Sequence, residues 1–201
     1  MNFARRSILE LHGMKAEEIN FVLDTAAHFR EILDRPIKKV PALRGKSVCT
    51  LFYEASTRTR TSFEIAAKTL SADTSSIAVG QSSVTKGESL KDTALTIKAM
   101  GVDIFVVRHH DSGAPHNVAS WTGLPVINAG DGQHEHPTQG LLDMLTIRRH
   151  KRNLTGLKVA IVGDIKHSRV ARSDMWGLTA MGAEVRLCGP KTLLPPVTQH
   201  W

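Results

Sequence analysis

From residue 47 onward, short apolar runs alternate with stretches of helical spacing, and that alternation limits the chain to very few folds. Ser47–Tyr53 is rich in β-branched and aromatic residues and reads as a buried strand. A helix is predicted near 58–71, a strand near 75–79, and a helix near 88–100 closed by Gly101. Strand 103–108, a short helix near 115–122, strand 125–128 and a helix over 137–150 complete the series. Strand and helix in strict turn require crossover connections. They predict an α/β fold with a parallel four-stranded sheet and helices on both faces. Ahead of it, Ile19, Val22, Leu23, Ala26, Phe29, Ile32 and Leu33 make a helical stripe over 15–34 that stops before Pro36. A second unit opens at Leu157–Asp164 with a strand, a helix over 168–181 and a strand over 182–189. One β-α-β is too little for an independent parallel-sheet domain. The expected division is therefore a first domain over 1–150 and the beginning of a second, incomplete α/β domain over 151–201.

Ligands of open parallel sheets bind at the carboxyl ends of the strands, so the loops at 54–59, 80–87, 108–114 and 129–136 should gather along one edge. Ser56-Thr57-Arg58-Thr59-Arg60 stands where a strand passes to a helix. Free N–H groups and the positive end of the helix dipole favour an anion there. Arg58 adds a planar fork of donors, and the hydroxyls of Ser56, Thr57 and Thr59 add more. The same residues would serve equally as a helix cap with arginines in water. Loop 80–87 carries Ser82 and Lys86, Arg108 follows directly on an apolar strand, and His136, Thr138 and Gln139 open the next helix. Asp164–Arg172 again places charge at a strand-to-helix junction. Arg169 is its candidate carboxylate ligand, and Arg172 one turn on can simply decorate the helix.

The formal charge of +7 invites a nucleic-acid reading, yet it is spread along the chain. Its one dense run, Arg148–Arg152, falls at a helix end, where cations complement the dipole. Aromatic residues are 5% and none interleaves with that run as a stacking platform would require, so anionic small molecules are favoured over nucleic acid. Neither a Gly-x-Gly-x-x-Gly nor a Gly-x-x-x-x-Gly-Lys-Ser/Thr motif occurs, which argues against dinucleotides and nucleoside triphosphates. His134, Glu135 and His136 alternate in a loop, a pattern that seldom converges on one ion, so no metal is expected from them. Cys49 and Cys188 lie inside apolar runs and are expected to be buried, without a disulfide or zinc role. No apolar run reaches 18 residues and the N-terminus lacks a signal core, so no membrane association and a cytoplasmic location are expected.

Phe52–Glu64 (Phe-Tyr-Glu-Ala-Ser-Thr-Arg-Thr-Arg-Thr-Ser-Phe-Glu) resembles the carbamoyl-phosphate signature of the aspartate and ornithine transcarbamoylases, and His136-Pro-Thr-Gln139 is similar to their second signature. Asn128–Gly132, Lys86–Ser89 and Val162–Arg169 resemble the aspartate branch, and the resemblance covers essentially all 201 residues. It implies transfer of the carbamoyl group from carbamoyl phosphate to L-aspartate in pyrimidine synthesis, without a cofactor. Ser56, Thr57, Arg58 and Thr59 would hold the phosphate, with Arg58 stabilising the leaving group. Arg108, His136 and Thr59 would surround the carbonyl oxygen, Gln139 would touch the carbamoyl nitrogen, and Arg169, with Lys86, would bind aspartate. Ser82 and Lys86 would reach into a neighbouring subunit's site, implying a homotrimer with shared active sites. The resemblance leaves room for regulatory or dihydroorotase-like partner subunits. Members continue through a whole aspartate domain with an Arg-x-Gln segment that this sequence lacks. It therefore reads as an N-terminal portion with little or no turnover that still binds carbamoyl phosphate or phosphate. Ornithine transcarbamoylase activity, or a non-catalytic anion-binding oligomer module, are the alternatives.

Overall fold

The computed structural model describes residues 5–78 and 87–195. Ser82 and Lys86 lie outside the described residues. Strands β1 (Ser47–Phe52), β2 (Asp73–Ala78), β3 (Ile104–His109) and β4 (Val126–Asp131) form one parallel sheet in the order β2-β1-β3-β4. Every β1 residue after Ser47 is buried, as a central strand covered on both faces demands. Helices α3 (Leu90–Ala99) and α4 (Ala114–Thr122) cover one face over Cys49, Leu51, Phe105, Val107 and Val126. Helix α2 (Thr57–Thr69) covers the other through Ala67 and Phe63, against Val48, Phe52 and Val106. The outer edge of β4 is closed by the N-terminal segment. Ile8 N–H donates to Val126 at 3.0 Å and Asn128 N–H donates to Ile8 at 2.9 Å, which leaves no bare backbone row there.

Helices α1 (Ala16–Leu33), α5 (Pro137–Lys151) and α6 (Arg169–Ala180) pack together through Leu11, Ile19, Leu23, Met144 and Leu178. A Cβ placed on Gly140 of α5 would meet Ser173 Cβ of α6 at 3.1 Å, so the bare glycine lets the two helices approach closely. Strands β5 (Lys158–Val162) and β6 (Glu184–Cys188) pair with each other in a separate two-stranded parallel sheet. Val159 and Val185 turn toward the three-helix core, whereas Ala160, Val162 and Cys188 face outward.

Two sequence expectations need correction. Cys188 is exposed rather than buried, because an apolar parallel strand implies cover on both faces and β6 has it on one. Strand β4 runs on to Asp131, through residues read as a loop after 128. Asn128 Oδ1 accepts the Gly130 N–H at 2.8 Å and Asp131 Oδ2 accepts the Gly113 N–H at 2.7 Å, so side chains take over ladder bonds that a strand would otherwise lose. The register with β3 shifts between Val107 and His109, which bends this strand end toward the loops above it.

Candidate active site

Ser56 is the residue before α2, with extended backbone (φ −157°, ψ 94°), but its side chain makes no capping hydrogen bond. The first-turn N–H groups are thus not taken by the cap, and the capping alternative fails at its key residue. Ser56 and Thr59 are half-buried; Thr57 and Arg58 are exposed, and Arg58 forms no salt bridge among the described residues. Arg60 turns the other way, along the helix surface toward Glu64 at 3.8 Å.

Two guanidinium groups meet beside this helix start. Arg108, at the end of β3, donates from Nε to Glu54 Oε2 at 3.1 Å and from Nη1 to the Ala129 carbonyl at 3.2 Å. Arg169, opening α6, donates from Nη2 to the same Glu54 oxygen at 2.7 Å. Glu54 lies in the β1–α2 connection, so one carboxylate ties the first sheet to α6. Two mutually repelling cations are held together this way, and both are largely withdrawn from water, at 15% and 19% side-chain exposure. Arg169 Nη1 is buried with no hydrogen-bond partner. Gly130 leaves the room: its φ is +111°, and a Cβ there would sit 3.2 Å from Nη1 of both arginines.

His136 precedes α5 and is buried. Its backbone N–H donates to Ser173 Oγ at 2.9 Å, and Ser173 in turn donates to Glu135 Oε2 at 2.8 Å. Glu135 also accepts the N–H groups of Leu11 at 2.8 Å and His12 at 3.1 Å, so the segment before α5 is anchored to both the N-terminal segment and α6. Burial, and then the charges of Arg108 and Arg169, push the His136 imidazole down to about 4. It is therefore neutral at physiological pH, with the Thr138 hydroxyl 3.3 Å from Nδ1.

Among the sequence-predicted residues, Arg108, His136 and Arg169 come together, next to the α2 start that carries Ser56, Thr57, Arg58 and Thr59. Gln139 turns aside: its Nε2 donates to Asp143 Oδ1 at 3.1 Å within α5. Burial raises Asp143 and, aided by the Asp143 charge, lifts Asp174 on α6 to about 7. Glu54, Ser173 and the buried Glu135 escaped sequence reasoning. Only Glu54 left a signal, as the one acid directly before the Ser56 motif.

The arrangement can bind a small dianion at a helix start and polarise a neighbouring oxygen with two desolvated cations and one neutral imidazole. Comparison with known proteins bears on which anion. The carbamoyl-phosphate-binding domain of the aspartate/ornithine carbamoyltransferases matches residues 6–149. The aspartate carbamoyltransferase catalytic subunit of Heliobacterium modesticaldum is 62% identical over 196 residues, 98% of this chain and 63% of that protein. Its counterpart in Moorella thermoacetica is 60% identical over 200 residues, covering 100% of this chain and 65% of the relative. Among solved structures, aspartate transcarbamoylase from Trypanosoma cruzi in complex with aspartate and phosphate superposes with a TM-score of 0.90 at 31% identity, covering 97% of this chain and 63% of that one. The catalytic subunit of M. jannaschii aspartate transcarbamoylase gives 0.86 at 40% identity, over 98% and 64%. The chain thus spans a little under two thirds of the length of these relatives.

Proposed function

The chain belongs to the aspartate/ornithine carbamoyltransferase family, and from that premise we propose that it binds carbamoyl phosphate and transfers its carbamoyl group to the amine of L-aspartate. The observation that carries this reading is the pairing of Arg108 with Arg169 beside a neutral His136, at the open start of α2. The phosphate would sit on the first-turn N–H groups of α2 with the hydroxyls of Ser56, Thr57 and Thr59 and the fork of Arg58. Attack of the amine on the carbonyl carbon puts negative charge first on the carbonyl oxygen and then on the departing phosphate. Arg108, Thr59 and the neutral His136 imidazole would meet the first, and Arg58 the second. Prearranged donors in a partly dry site lower such a barrier without a metal, a cofactor or a covalent nucleophile. A ligand anion would share the arginines with Glu54 and engage the orphaned Arg169 Nη1. Rotation of Gln139 away from Asp143 would bring its amide to the carbamoyl nitrogen.

The first 150 residues form the carbamoyl-phosphate domain in this reading, and 151–201 open the aspartate side. Ser82 and Lys86 would serve a neighbouring site in a homotrimer. Arg169, with Lys86 from a neighbour, is the acceptor ligand this reading assigns within residues 1–201, and orientation supplies much of the barrier reduction in a two-substrate reaction. These 201 residues should therefore bind the donor well and turn over slowly. Calorimetric titration with carbamoyl phosphate and inorganic phosphate, followed by transfer of labelled carbamoyl to aspartate or ornithine, tests this. Saturable phosphate binding and aspartate-selective product support it. Absence of phosphate binding rejects it, and ornithine-selective product moves the chain to the other branch.

A further inference from the structure

Gln139 starts beside the site and points away from it. Its backbone N–H donates to the His136 carbonyl at 3.0 Å, which puts the residue in the first turn of α5, next to the buried imidazole. The side chain runs down the helix instead, and Nε2 donates to Asp143 Oδ1 at 3.1 Å, one turn further on. Residues four apart on a helix are neighbours, so the contact is a natural resting place for the amide.

Asp143 is set in the seam between α5 and α6. A Cβ on Gly140 would meet Ser173 Cβ at 3.1 Å, and one on Gly177 would stand 2.9 Å from Met144 Sδ, so residues 140–144 run directly along 173–177. Asp143 lies in the first stretch and Asp174 in the second, and both acids are half-buried. Burial, with the Asp143 charge, leaves Asp174 protonated up to about pH 7. Burial also raises Asp143, and the Gln139 hydrogen bond pulls it back. The negative charge of the two acids therefore rests on Asp143, the one that holds the amide. A hydrogen bond to a charged acceptor is stronger than one between neutral groups, so the amide is held firmly.

We infer that Asp143 is a positioning residue for Gln139: it keeps the amide out of the site in the free chain, and the carbamoyl N–H groups draw it in. This rests on the carbamoyl-phosphate reading above, in which Gln139 meets the carbamoyl nitrogen. A ligand moves such an equilibrium only by what it gains in one state over the other. Carbamoyl phosphate gains a partner for its nitrogen and must break the Asp143 bond to do so. Acetyl phosphate, with a methyl in place of that nitrogen, and inorganic phosphate gain nothing from the amide and leave it on Asp143. Asp143 thus reduces affinity for the carbamoyl anion alone, by the fraction of chains in which the amide is held away.

Calorimetric titration of the chain with carbamoyl phosphate, acetyl phosphate and inorganic phosphate tests this. Asp143→Ala and Asp143→Leu, with folding verified by circular dichroism, should each bind carbamoyl phosphate about three- to tenfold more tightly, the loss of one half-buried charge-assisted bond. Their affinities for acetyl phosphate and inorganic phosphate should not change. In a Gln139→Ala background, Asp143→Ala should have no effect on carbamoyl phosphate, because the group it acts through is gone. A gain shared by all three anions would reflect only the removal of a nearby negative charge and would overturn the inference. So would an unchanged or weakened carbamoyl-phosphate affinity, or a gain that persists without Gln139. Failure of the parent chain to bind inorganic phosphate is a separate result, which rejects the carbamoyl-phosphate site itself and this role of Asp143 with it.

Discussion

Arg58 illustrates how little a residue needs to touch before its ligand arrives. It is exposed and forms no salt bridge among the described residues, so no ion pair among them would be lost with it. Arg58→Ala should leave the melting temperature unchanged and weaken phosphate binding by about 2–4 kcal/mol, the worth of charge-assisted bonds to a partly desolvated anion. Calorimetry with inorganic phosphate reads it, and unchanged affinity would remove Arg58 from the site. Gly130 is the opposite case. At φ +111° an alanine is strained by at least about 1–2 kcal/mol, and its methyl would press on both arginines at 3.2 Å. We expect Gly130→Ala to lower stability in a urea melt and also to weaken phosphate binding by about tenfold. A stability loss with intact binding would mean that the arginines give way freely. His136 should titrate near 4 in an NMR pH series, far below an ordinary histidine, since burial and two cations oppose its charge. A midpoint near 6.5 would show that burial and the two cations do not oppose its charge, and one well above 7 would show that its neutral role is wrong. The positions of Arg58, Arg108 and His136 were legible because junction residues follow from where strands end. The Glu54 bridge was not, since it depends on Arg169, 115 residues away.

Among the elements, β4 shows where reading by propensity fails. Asn-Ala-Gly-Asp has the composition of a turn, yet the strand continues because the Asn128 and Asp131 side chains satisfy the backbone locally. That extension is what carries Gly130 under the two arginines. The α5–α6 pair was legible as two helices but not as a contact, since Gly140 and Ser173 are weak signals until they face each other. The same pair holds a buried acid. Asp174 keeps its proton up to about pH 7 because it is desolvated and close to the Asp143 charge, and its Oδ1 has no partner. Between about pH 4 and 7 the unfolded chain has released this proton while the native chain retains it, so native stability falls as pH rises through that window. Asp174→Asn removes the effect. Urea melts should show it more stable than the parent at pH 8 by about 1–3 kcal/mol, with the gap closing toward pH 4. A gap that stays constant with pH would show that Asp174 is not protonated in the native state.

For the whole molecule, the two sheets differ in a way that the alternation of strands and helices does not foretell. In the first, helices cover both faces and the N-terminal segment closes one edge. In the second, the inner face joins the three-helix core, while Val162, 73% exposed, and Cys188 stand on the outer face. Both sheets are parallel and built from apolar runs, so sequence pattern alone assigns them the same surroundings. The two cysteines sample one sheet each. Cys49 has no accessible surface in the centre of β1, and burial raises its thiol, which leaves little thiolate to react. Cys188 meets solvent. An aromatic disulfide reagent should therefore titrate one thiol per native chain quickly and the second only in denaturant. Cys188→Ser should abolish the fast phase without affecting phosphate binding, since Arg108, His136 and Arg169 make their hydrogen bonds to Glu54, Ala129 and Ser173, none of them on β6. Two fast thiols would mean that the first sheet opens readily. No fast thiol would mean that the outer face of β5 and β6 is covered in solution, with a second copy of the chain the first occupant to test by sedimentation.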